Sequence, residues 1–254
     1  MTMRNLFDLA GRRAIITGGG GGIGSGLVAA LYGAGAEVLI IGRSESAAEV
    51  ASAMGSAERP VLARRVDLAD REALAAGFAE AVDALSGLDI LVNCHGTTYV
   101  EPSLEFKIDA WDQQIESNLT SVFLLCQLAA RIMVAQGRGK IINIASMLSY
   151  SGGLRAPAYA AAKGGIVQLT KALANEWSGQ GVNVNAIAPG YVRTKLNMHI
   201  WKDPVRSEQT LARIPAGRWG EAADLQGAVI FLASPASDYI HGITLPVDGG
   251  FLAR

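Results

Sequence analysis

The sequence predicts an α/β fold in which helices cover both faces of a parallel, seven-stranded sheet. Short β-branched runs alternate with helix-length segments from end to end, a pattern typical of parallel strands joined by right-handed crossovers. These β-branched runs are nearly all apolar rather than alternating, as expected of strands buried on both faces. No linker, repeat or low-complexity segment divides the chain, so we expect one doubly wound domain over residues 1–254.

Each predicted element follows from this alternation. The predicted strands are residues 14–17, 38–41, 61–66, 90–93, 140–145, 182–188 and 244–247. The predicted helices are residues 23–32, 47–54, 72–84, 110–134, 159–177 and 222–232. Glycines stand where helices are expected to end, at Gly35, Gly87, Gly137 and Gly181. Residues 193–215 have weak apolar periodicity and predict a loop or lid with short helices.

The composition excludes several classes of function. The 254 residues carry 22 basic and 23 acidic side chains, a net charge of −1, so no strong field attracts nucleic acid or an anionic membrane. Half of the residues are hydrophobic and 18% are charged, which excludes a disordered chain. The longest apolar stretch, residues 122–135, is interrupted by Gln127 and Arg131, and the N-terminal stretch lacks the pattern of a signal peptide. Because two cysteines make no disulfide framework, we expect a cytoplasmic protein.

A glycine-rich turn joins the first predicted strand to the first predicted helix. Its backbone N–H groups and the positive end of the helix dipole suit a pyrophosphate. In this strand–turn–helix context, residues 17–24 indicate a dinucleotide site rather than a flexible surface loop. The residues expected to contact the dinucleotide here are Gly18, Gly20, Gly21, Gly22, Ile23 and Gly24.

The end of the second predicted strand, Gly42-Arg43-Ser44, bears on the choice of dinucleotide. A carboxylate at this point accepts a hydrogen bond from the ribose 2′-OH of NAD, whereas an arginine suits the 2′-phosphate of NADP. Here Gly42 removes the carboxylate, and Arg43 can pair with the phosphate and stack on adenine. The sequence therefore favours NADP(H), with NAD(H) or use of both as the alternative.

Tyr159 and Lys163 stand at i and i+4 on one face of a predicted helix. A free tyrosine titrates near ~10, so the nearby cation is expected to lower its pKa and suit it to acid–base work on an alcohol or ketone. Ser146 follows the fifth strand, where its hydroxyl can bond the reacting oxygen. Asn118 lies mid-helix, where asparagine is unfavourable, and either holds a water that links Lys163 to solvent or simply faces solvent.

Together these motifs resemble the short-chain dehydrogenase/reductase family over essentially the whole chain. Asn118, Ser146, Tyr159 and Lys163 match the family's catalytic tetrad, and residues 189–194 match the segment after its sixth strand. The resemblance implies a Rossmann-type fold, hydride transfer between NAD(P) and a secondary alcohol or ketone, and contact of Lys163 with the nicotinamide ribose. Further cofactor contacts that it implies are Asp67, Leu68, Asn93, Gly96, Tyr159, Pro189, Gly190, Val192 and Thr194. From the residues alone, Asp67 could equally cap a helix, and Asn93 could brace the end of its strand.

Within the family, residues 141–153, 174–177 and 213–220 most resemble dehydrogenases of sugar acids such as 2-deoxy-D-gluconate. A sugar acid or keto-deoxy acid is therefore the expected substrate. The predicted lid is basic, which suits an anionic substrate but is also typical of a solvated face.

Two further residues are candidates for contact with the substrate. Arg155 lies between Ser146 and Tyr159, where its guanidinium either clamps a carboxylate or stays on the surface. His95 stands in Asn93-Cys94-His95-Gly96, where the family usually has Asn-Asn-Ala-Gly. We expect this imidazole either to disturb the cofactor site or to reach the substrate.

Two alternative functions remain open from the sequence. A 3-oxoacyl-[acyl-carrier-protein] reductase would need a basic docking patch, and a non-catalytic, dinucleotide-sensing protein would keep the fold with an idle tetrad. The scattered histidines show no metal-ligand spacing, so no metal is expected. Residues 159–177 have little polar surface and are expected to pack on the sheet and on a partner subunit, consistent with the homotetramers usual in the family. The expected ligand is a small molecule, with no nucleic acid and no membrane.

Overall fold

The computed structural model describes residues 6–195 and 197–254, and within them seven strands form one sheet. The strands are β1 (Arg13–Thr17), β2 (Glu37–Gly42), β3 (Leu62–Arg65), β4 (Ile90–Asn93), β5 (Gly139–Ile144), β6 (Val182–Pro189) and β7 (Thr244–Val247). Their order is β3-β2-β1-β4-β5-β6-β7, and every neighbouring pair is parallel. This confirms the predicted fold class. The order reverses between β1 and β4, which is where doubly wound sheets bind their ligands.

Helices join consecutive strands. They are α1 (Gly22–Gly33), α2 (Ser46–Met54), α3 (Arg71–Ala84), α4 (Ile108–Ile115), α5 (Ser121–Ala135), α6 (Pro157–Trp177), α7 (Met198–Trp201), α8 (Pro204–Leu211) and α9 (Gln226–Ala233). The helix predicted over residues 110–134 is in fact α4 and α5, separated by one π-helical turn at Glu116–Thr120. Residues 222–232, also predicted as one helix, begin as a 3₁₀ turn at Ala222–Leu225.

The four glycines expected at helix ends all adopt the left-handed backbone region. Gly35, Gly87, Gly137 and Gly181 have φ values of +103°, +135°, +67° and +83°. Side chains rarely tolerate this region, so glycine at these positions ends a helix and turns the chain back to the sheet. The predicted helix ends are confirmed.

Both faces of the sheet are covered by apolar side chains. Ile15 and Leu91 face one core cluster, built with α3, α5 and α6, whereas Ile16 and Val92 face a second cluster, built with α1, α2 and α9. Burial of each such side chain stabilises the fold by roughly 1.5–3 kcal/mol. The edge strand β3 departs from the expectation of burial on both faces, because only one neighbouring strand covers it and its residues are half-buried or exposed.

The helical stretch Ile108–Ala135 is long and apolar enough to cross a membrane by length and composition alone. Core helices of globular proteins meet the same criterion, and 44% of its most apolar window is buried in this fold. In α5 the buried side chains Leu125, Cys126 and Met133 belong to the core cluster beneath the sheet. The apolar character of this stretch therefore has a structural explanation.

Candidate active site

The site lies at the carboxyl ends of the parallel strands, which meet along one edge of the sheet. Thr17 ends β1 and Asn93 ends β4, and these two residues are register partners at the point where the strand order reverses. Ser146 lies two residues beyond β5, the next strand in the sheet. The predicted cofactor and catalytic segments therefore meet at this edge.

The glycine-rich turn of residues 18–24 leads from β1 directly into α1. Gly18 has φ +71°, and Gly21, the residue before α1, offers no side chain to cap the first N–H groups of that helix. A Cβ on Gly20 would lie 2.4 Å from Ser46 Oγ, and one on Gly24 would lie 2.2 Å from the Gly18 oxygen. At Gly20 and Gly24 only glycine fits, and the uncapped end of α1 suits a pyrophosphate.

The segment after β6 closes over this turn. A Cβ on Gly22 would lie 3.1 Å from Thr194 Cγ2, so the Thr194 side chain packs closely against the Gly22 backbone. Asn197 Oδ1 accepts hydrogen bonds from Thr194 N and Oγ1 (2.9 and 3.1 Å), and Trp201 Nε1 donates to the Thr194 oxygen (3.1 Å). Thr194 is thereby fixed beside the turn expected to hold the pyrophosphate.

The other predicted contacts after β6 are held by the C-terminal part of the chain. Pro189 ends β6, and a Cβ on Gly190 would lie 2.6 Å from Asp248 Cα. Val192 is buried and pairs with Gly220 in an isolated parallel bridge. Gly190 and Val192 are thus packed against the C-terminal part of the chain, and Thr194 of the same segment contacts the glycine-rich turn.

The predicted adenosine side lies after β2 and β3. Arg43 and Ser44 are exposed, and Leu68 is buried. Asp67 Oδ1 accepts from a backbone N–H two residues later (3.1 Å), whereas Asp70 caps α3. The helix-cap alternative for Asp67 is therefore wrong, and its carboxylate stays at the carboxyl edge of the sheet.

Asn93 is buried and braces the sheet below the site. Its Nδ2 donates to Asn143 Oδ1 (2.9 Å) and Cys126 Sγ (3.3 Å), and Asn143 Nδ2 donates to Thr170 Oγ1 (3.1 Å). This chain of hydrogen bonds links β4 through β5 to α6. Asn93 thus makes the strand-end brace suggested by its position.

Tyr159 and Lys163 lie on α6 with the lysine almost fully buried. Lys163 Nζ donates to the Ile144 oxygen (2.7 Å) and lies 5.8 Å from the centroid of the Tyr159 ring. Burial lowers the pKa of Lys163 to about 8. Burial raises the pKa of Tyr159, and a hydrogen bond with Ser146 opposes this rise.

The expected lowering of the Tyr159 pKa by Lys163 is therefore wrong, because burial raises this pKa instead. A lysine with a pKa of about 8 is neutral where a phenol titrates, so it contributes no positive charge there. The consequence is chemical. At neutral pH Tyr159 holds its proton and Lys163 is charged, the state in which a phenol can give a proton to a ketone oxygen.

Ser146 is held by the turn that follows it. Its Oγ accepts from Leu148 N (3.1 Å), and its N–H donates to Ser149 Oγ (3.2 Å). Ser149 Oγ in turn donates to the Lys163 oxygen (2.7 Å), which ties the serine turn to α6 at the level of the lysine. These contacts set the Ser146 hydroxyl beside Tyr159.

Asn118 is fully buried in the π-helical turn, so a solvent-facing role is wrong. Its Oδ1 accepts from Thr97 N (3.1 Å), and its Nδ2 donates to the Thr97 and Gln114 oxygens (2.9 Å each). A Cβ on Gly96 would lie 2.4 Å from Asn118 Oδ1 and 3.9 Å from Lys163 Nζ. Asn118 thus fixes the chain after β4 against the lysine; its role in a proton relay stays a prediction.

Both ring nitrogens of His95 are engaged by side chains of the protein. Its Nδ1 lies 2.7 Å from Thr17 Oγ1 and its Nε2 lies 2.8 Å from Ser121 Oγ. Because Ser121 Oγ donates to the Ser117 oxygen, it accepts from Nε2–H, and Nδ1 then accepts from Thr17. Burial and the charge of Lys163 lower the His95 pKa to about 3. Neither ring nitrogen is free to bind the substrate, so the expected contact of His95 with the substrate is wrong.

Arg155 and the predicted lid lie at the outer rim. Arg155 is exposed, has φ +62°, and its backbone oxygen accepts from Glu101 N (2.8 Å). Positive φ is uncommon for a residue other than glycine and costs energy, so the fold imposes this conformation. Residues 193–215 form α7 and α8, with Arg193 paired to Glu221 (3.3 Å). Closure of this segment and the carboxylate clamp stay predictions.

Several supporting polar residues escaped the sequence analysis. They are Thr17, Ser121, Asn143, Ser149 and Asn197. Signals existed for two of them, since Ser-x-x-Ser after a strand is a capping pattern and Asn143 is a lone amide in an apolar strand. Within the described residues, no group of three or more His, Cys, Asp or Glu side chains could hold a metal ion.

Comparison with known proteins fits this geometry. Residues 19–252 match a family model described as enoyl-(acyl carrier protein) reductase. The chain is 44% identical over 252 residues to 2-dehydro-3-deoxy-D-gluconate 5-dehydrogenase of Bacillus subtilis, and the match covers 99% of each chain. The chain belongs to the short-chain dehydrogenase/reductase family. The family resemblance inferred from the sequence is thereby confirmed.

Solved structures of similar short-chain dehydrogenases carry dinucleotides. A candidate 2-deoxy-D-gluconate 3-dehydrogenase from Agrobacterium tumefaciens with bound NADP is 43% identical, with a TM-score of 0.90 and coverage of 99% of this chain and 100% of that one. A gluconate 5-dehydrogenase from Burkholderia cenocepacia, in complex with NADP and tartrate, is 41% identical, with a TM-score of 0.93 and 98% coverage of both chains.

Proposed function

We propose that this short-chain dehydrogenase uses NADP(H) to interconvert a secondary alcohol and a ketone on a sugar acid or keto-deoxy acid such as 2-deoxy-D-gluconate. The observation that carries the proposal is the meeting of Ser146, Tyr159 and Lys163 at the sheet edge that also holds the glycine-rich turn. The relatives named above, which act on sugar acids by name, support the substrate class.

The proposed chemistry divides between cofactor and protein. NADP(H) supplies or takes the hydride when bound. In reduction, Tyr159 gives its proton to the ketone oxygen while the Ser146 hydroxyl donates a hydrogen bond to the same oxygen. Lys163 would bind the nicotinamide ribose and, while charged, stabilise the phenolate left behind. Asn118 keeps the backbone after β4 in place against Lys163.

Several observations support NADP(H) as the cofactor. Gly18, Gly20 and Gly24 pack too tightly to carry a side chain, which leaves backbone N–H groups to face the phosphates, and Arg43 with Ser44 follows β2 without a carboxylate at position 42. Two similar proteins were solved with NADP. We keep NAD(H) as a second cofactor, to be decided by comparing affinities. Contacts of Asp67, Leu68, Gly96, Val192 and Thr194 with the dinucleotide belong to the same proposal.

A substrate panel tests the activity. NADPH oxidation is followed by absorbance with keto forms of sugar acids, neutral ketoses and acetoacetyl thioesters. We expect the highest kcat/KM with the keto sugar acids. Preference for the thioesters would favour an acyl-carrier-protein reductase, and dinucleotide binding without turnover would favour a sensing protein.

Arg155 is proposed to bind the substrate carboxylate, with the basic segment of residues 193–215 closing over it. Its exposed guanidinium stands at the rim of the site on a backbone that the fold holds in a left-handed conformation. The Arg155→Leu variant should lose kcat/KM on a keto acid and keep it on the uncharged analogue. Equal loss on both would reject the clamp.

We propose in addition that the chain forms one catalytic domain and a homotetramer in the cytoplasm. The small residues of α6 and the exposed Phe123 of α5 support a subunit contact on this side of the sheet. The free cysteines Cys94 and Cys126 are consistent with a reducing compartment. A monomer at micromolar concentration in light scattering would contradict the tetramer.

A further inference from the structure

Arg65, the last residue of β3, lies beside the loop that follows β2. Strand pairing places it opposite Gly42, the position at which a carboxylate would accept a hydrogen bond from the ribose of NAD. Its Nε donates to the Arg43 oxygen (3.1 Å), and its Nη1 donates to Glu45 Oε1 (2.9 Å). The guanidinium therefore supports the backbone of Arg43 and pairs with the carboxylate next along the chain.

This loop borders the glycine-rich turn. A Cβ on Gly20 would lie 2.4 Å from Ser46 Oγ, so the first residue of α2 is packed against the turn. Ser44 Oγ and Ser46 Oγ lie 2.8 Å apart on the same loop. A dinucleotide whose pyrophosphate lies on the turn would therefore place its adenosine ribose near Arg43, Ser44 and Arg65.

The guanidinium of Arg65 has donors to spare. Nε and Nη1 are used, whereas Nη2 makes no hydrogen bond with any residue that the structure describes. An arginine with free donors and 73% side-chain exposure suits a phosphate, which accepts charge-assisted hydrogen bonds in a forked geometry. Glu45, equally exposed, pairs with Arg65 and adds a negative charge close to that phosphate.

We propose that Arg65 is a second residue that binds the 2′-phosphate of NADP, and that Glu45, by pairing with Arg65, reduces the preference for NADP over NAD. The inference rests on the proposed use of NADP(H). Besides Arg43, Arg65 of β3 would then contact the 2′-phosphate. The carboxylate of Glu45 would oppose binding of this phosphate.

Binding measurements without substrate test this inference. Isothermal titration of NADP⁺ and NAD⁺ compares the wild type with Arg65→Gln, Glu45→Gln and the matched control Arg64→Gln. Arg64 is the preceding residue on β3, is exposed, and points to the opposite face of the strand, so its loss changes the net charge equally. Circular dichroism checks that each variant is folded.

We expect Arg65→Gln to weaken NADP⁺ binding about tenfold or more, because one charge-assisted contact is lost, and to leave NAD⁺ binding unchanged. Glu45→Gln should tighten NADP⁺ binding several-fold, because it removes a negative charge close to the 2′-phosphate. It should leave NAD⁺ binding unchanged, since NAD⁺ lacks that phosphate. Arg64→Gln should change neither.

Three other results would each contradict one part of the proposal. If Arg65→Gln behaves like Arg64→Gln, the phosphate contact is wrong while the proposed function stands. If Glu45→Gln weakens NAD⁺ binding, the carboxylate binds the ribose instead of limiting NADP preference. If the wild type binds neither dinucleotide, the proposed function fails and this inference with it.

Discussion

Replacement of Gly18 by alanine tests whether the glycine-rich turn is as tightly constrained as its geometry indicates. Gly18 has φ +71°, a conformation that costs an L-residue about 1–2 kcal/mol. The added Cβ would also lie 2.7 Å from His95 Cα, 2.8 Å from His95 N and 3.0 Å from the Cys94 carbonyl carbon. These are backbone atoms, so the segment just after β4 has to move.

Overpacking of this kind costs about 1–3 kcal/mol. Together with the backbone term, Gly18→Ala should lower the free energy of unfolding by about 3 kcal/mol, which corresponds to a decrease in Tm of roughly 6–12 °C for a chain of this size. The displaced turn should also lose affinity for NADP⁺. Thermal unfolding and isothermal titration measure the two effects.

Gly217 provides a matched control. Its φ is +67°, nearly that of Gly18, but no atom lies within 4 Å of the position of its Cβ. Gly217→Ala should therefore show only the backbone cost and should bind NADP⁺ as the wild type does. If the two variants show the same decrease in Tm and both bind the dinucleotide, the contact of Gly18 with the segment after β4 carries no energy, and the reasoning is refuted.

Two further predictions concern pH. The His95 pKa of about 3 lies below its unfolded value, so its contribution to stability is complete above pH 6.5 and is lost as the pH falls toward 3. Urea unfolding should show a loss of up to about 2 kcal/mol between pH 7 and pH 5 that His95→Gln lacks. Equal losses in the two proteins would contradict a neutral imidazole held between Thr17 and Ser121. The Lys163 pKa of about 8 is also below its unfolded value of 10.5. The buried charged form therefore lowers stability in full below pH 8, and this cost disappears as the pH rises toward 10.5. Thermal unfolding of the chain without dinucleotide should therefore show wild-type stability rising relative to Lys163→Met from pH 8 to pH 10, and parallel curves would count against burial of the ammonium.

The fold was accessible from the sequence because its signals are local. Apolar strand runs, helix-length segments and the glycines at helix ends each depend on neighbouring residues, and their predicted bounds lie within two residues of most observed elements. The π-helical turn was not accessible in this way. It accompanies contacts of the Asn118 amide with Thr97, and these depend on packing between segments distant in sequence.

In the site, too, some features follow from local sequence and others depend on contacts between distant segments. The positions of Ser146, Tyr159 and Lys163 follow from strand ends and helical spacing, which the sequence carries. The direction of His95 does not, because its partners Thr17 and Ser121 lie 78 and 26 residues away. The pKa of Tyr159 likewise depends on burial by the folded chain, which reverses the shift expected from spacing alone.

The proton donated by Tyr159 is the central claim, and Tyr159→Phe tests it most directly. The substitution keeps the ring and removes only the hydroxyl, and Tyr239→Phe, on a side chain that is 99% exposed, is the matched control. We predict that Tyr159→Phe still binds NADP⁺ and reduces the preferred keto acid about 10²–10⁴-fold more slowly, while the control is unchanged. A kcat within a few-fold of the wild type in Tyr159→Phe would contradict the account.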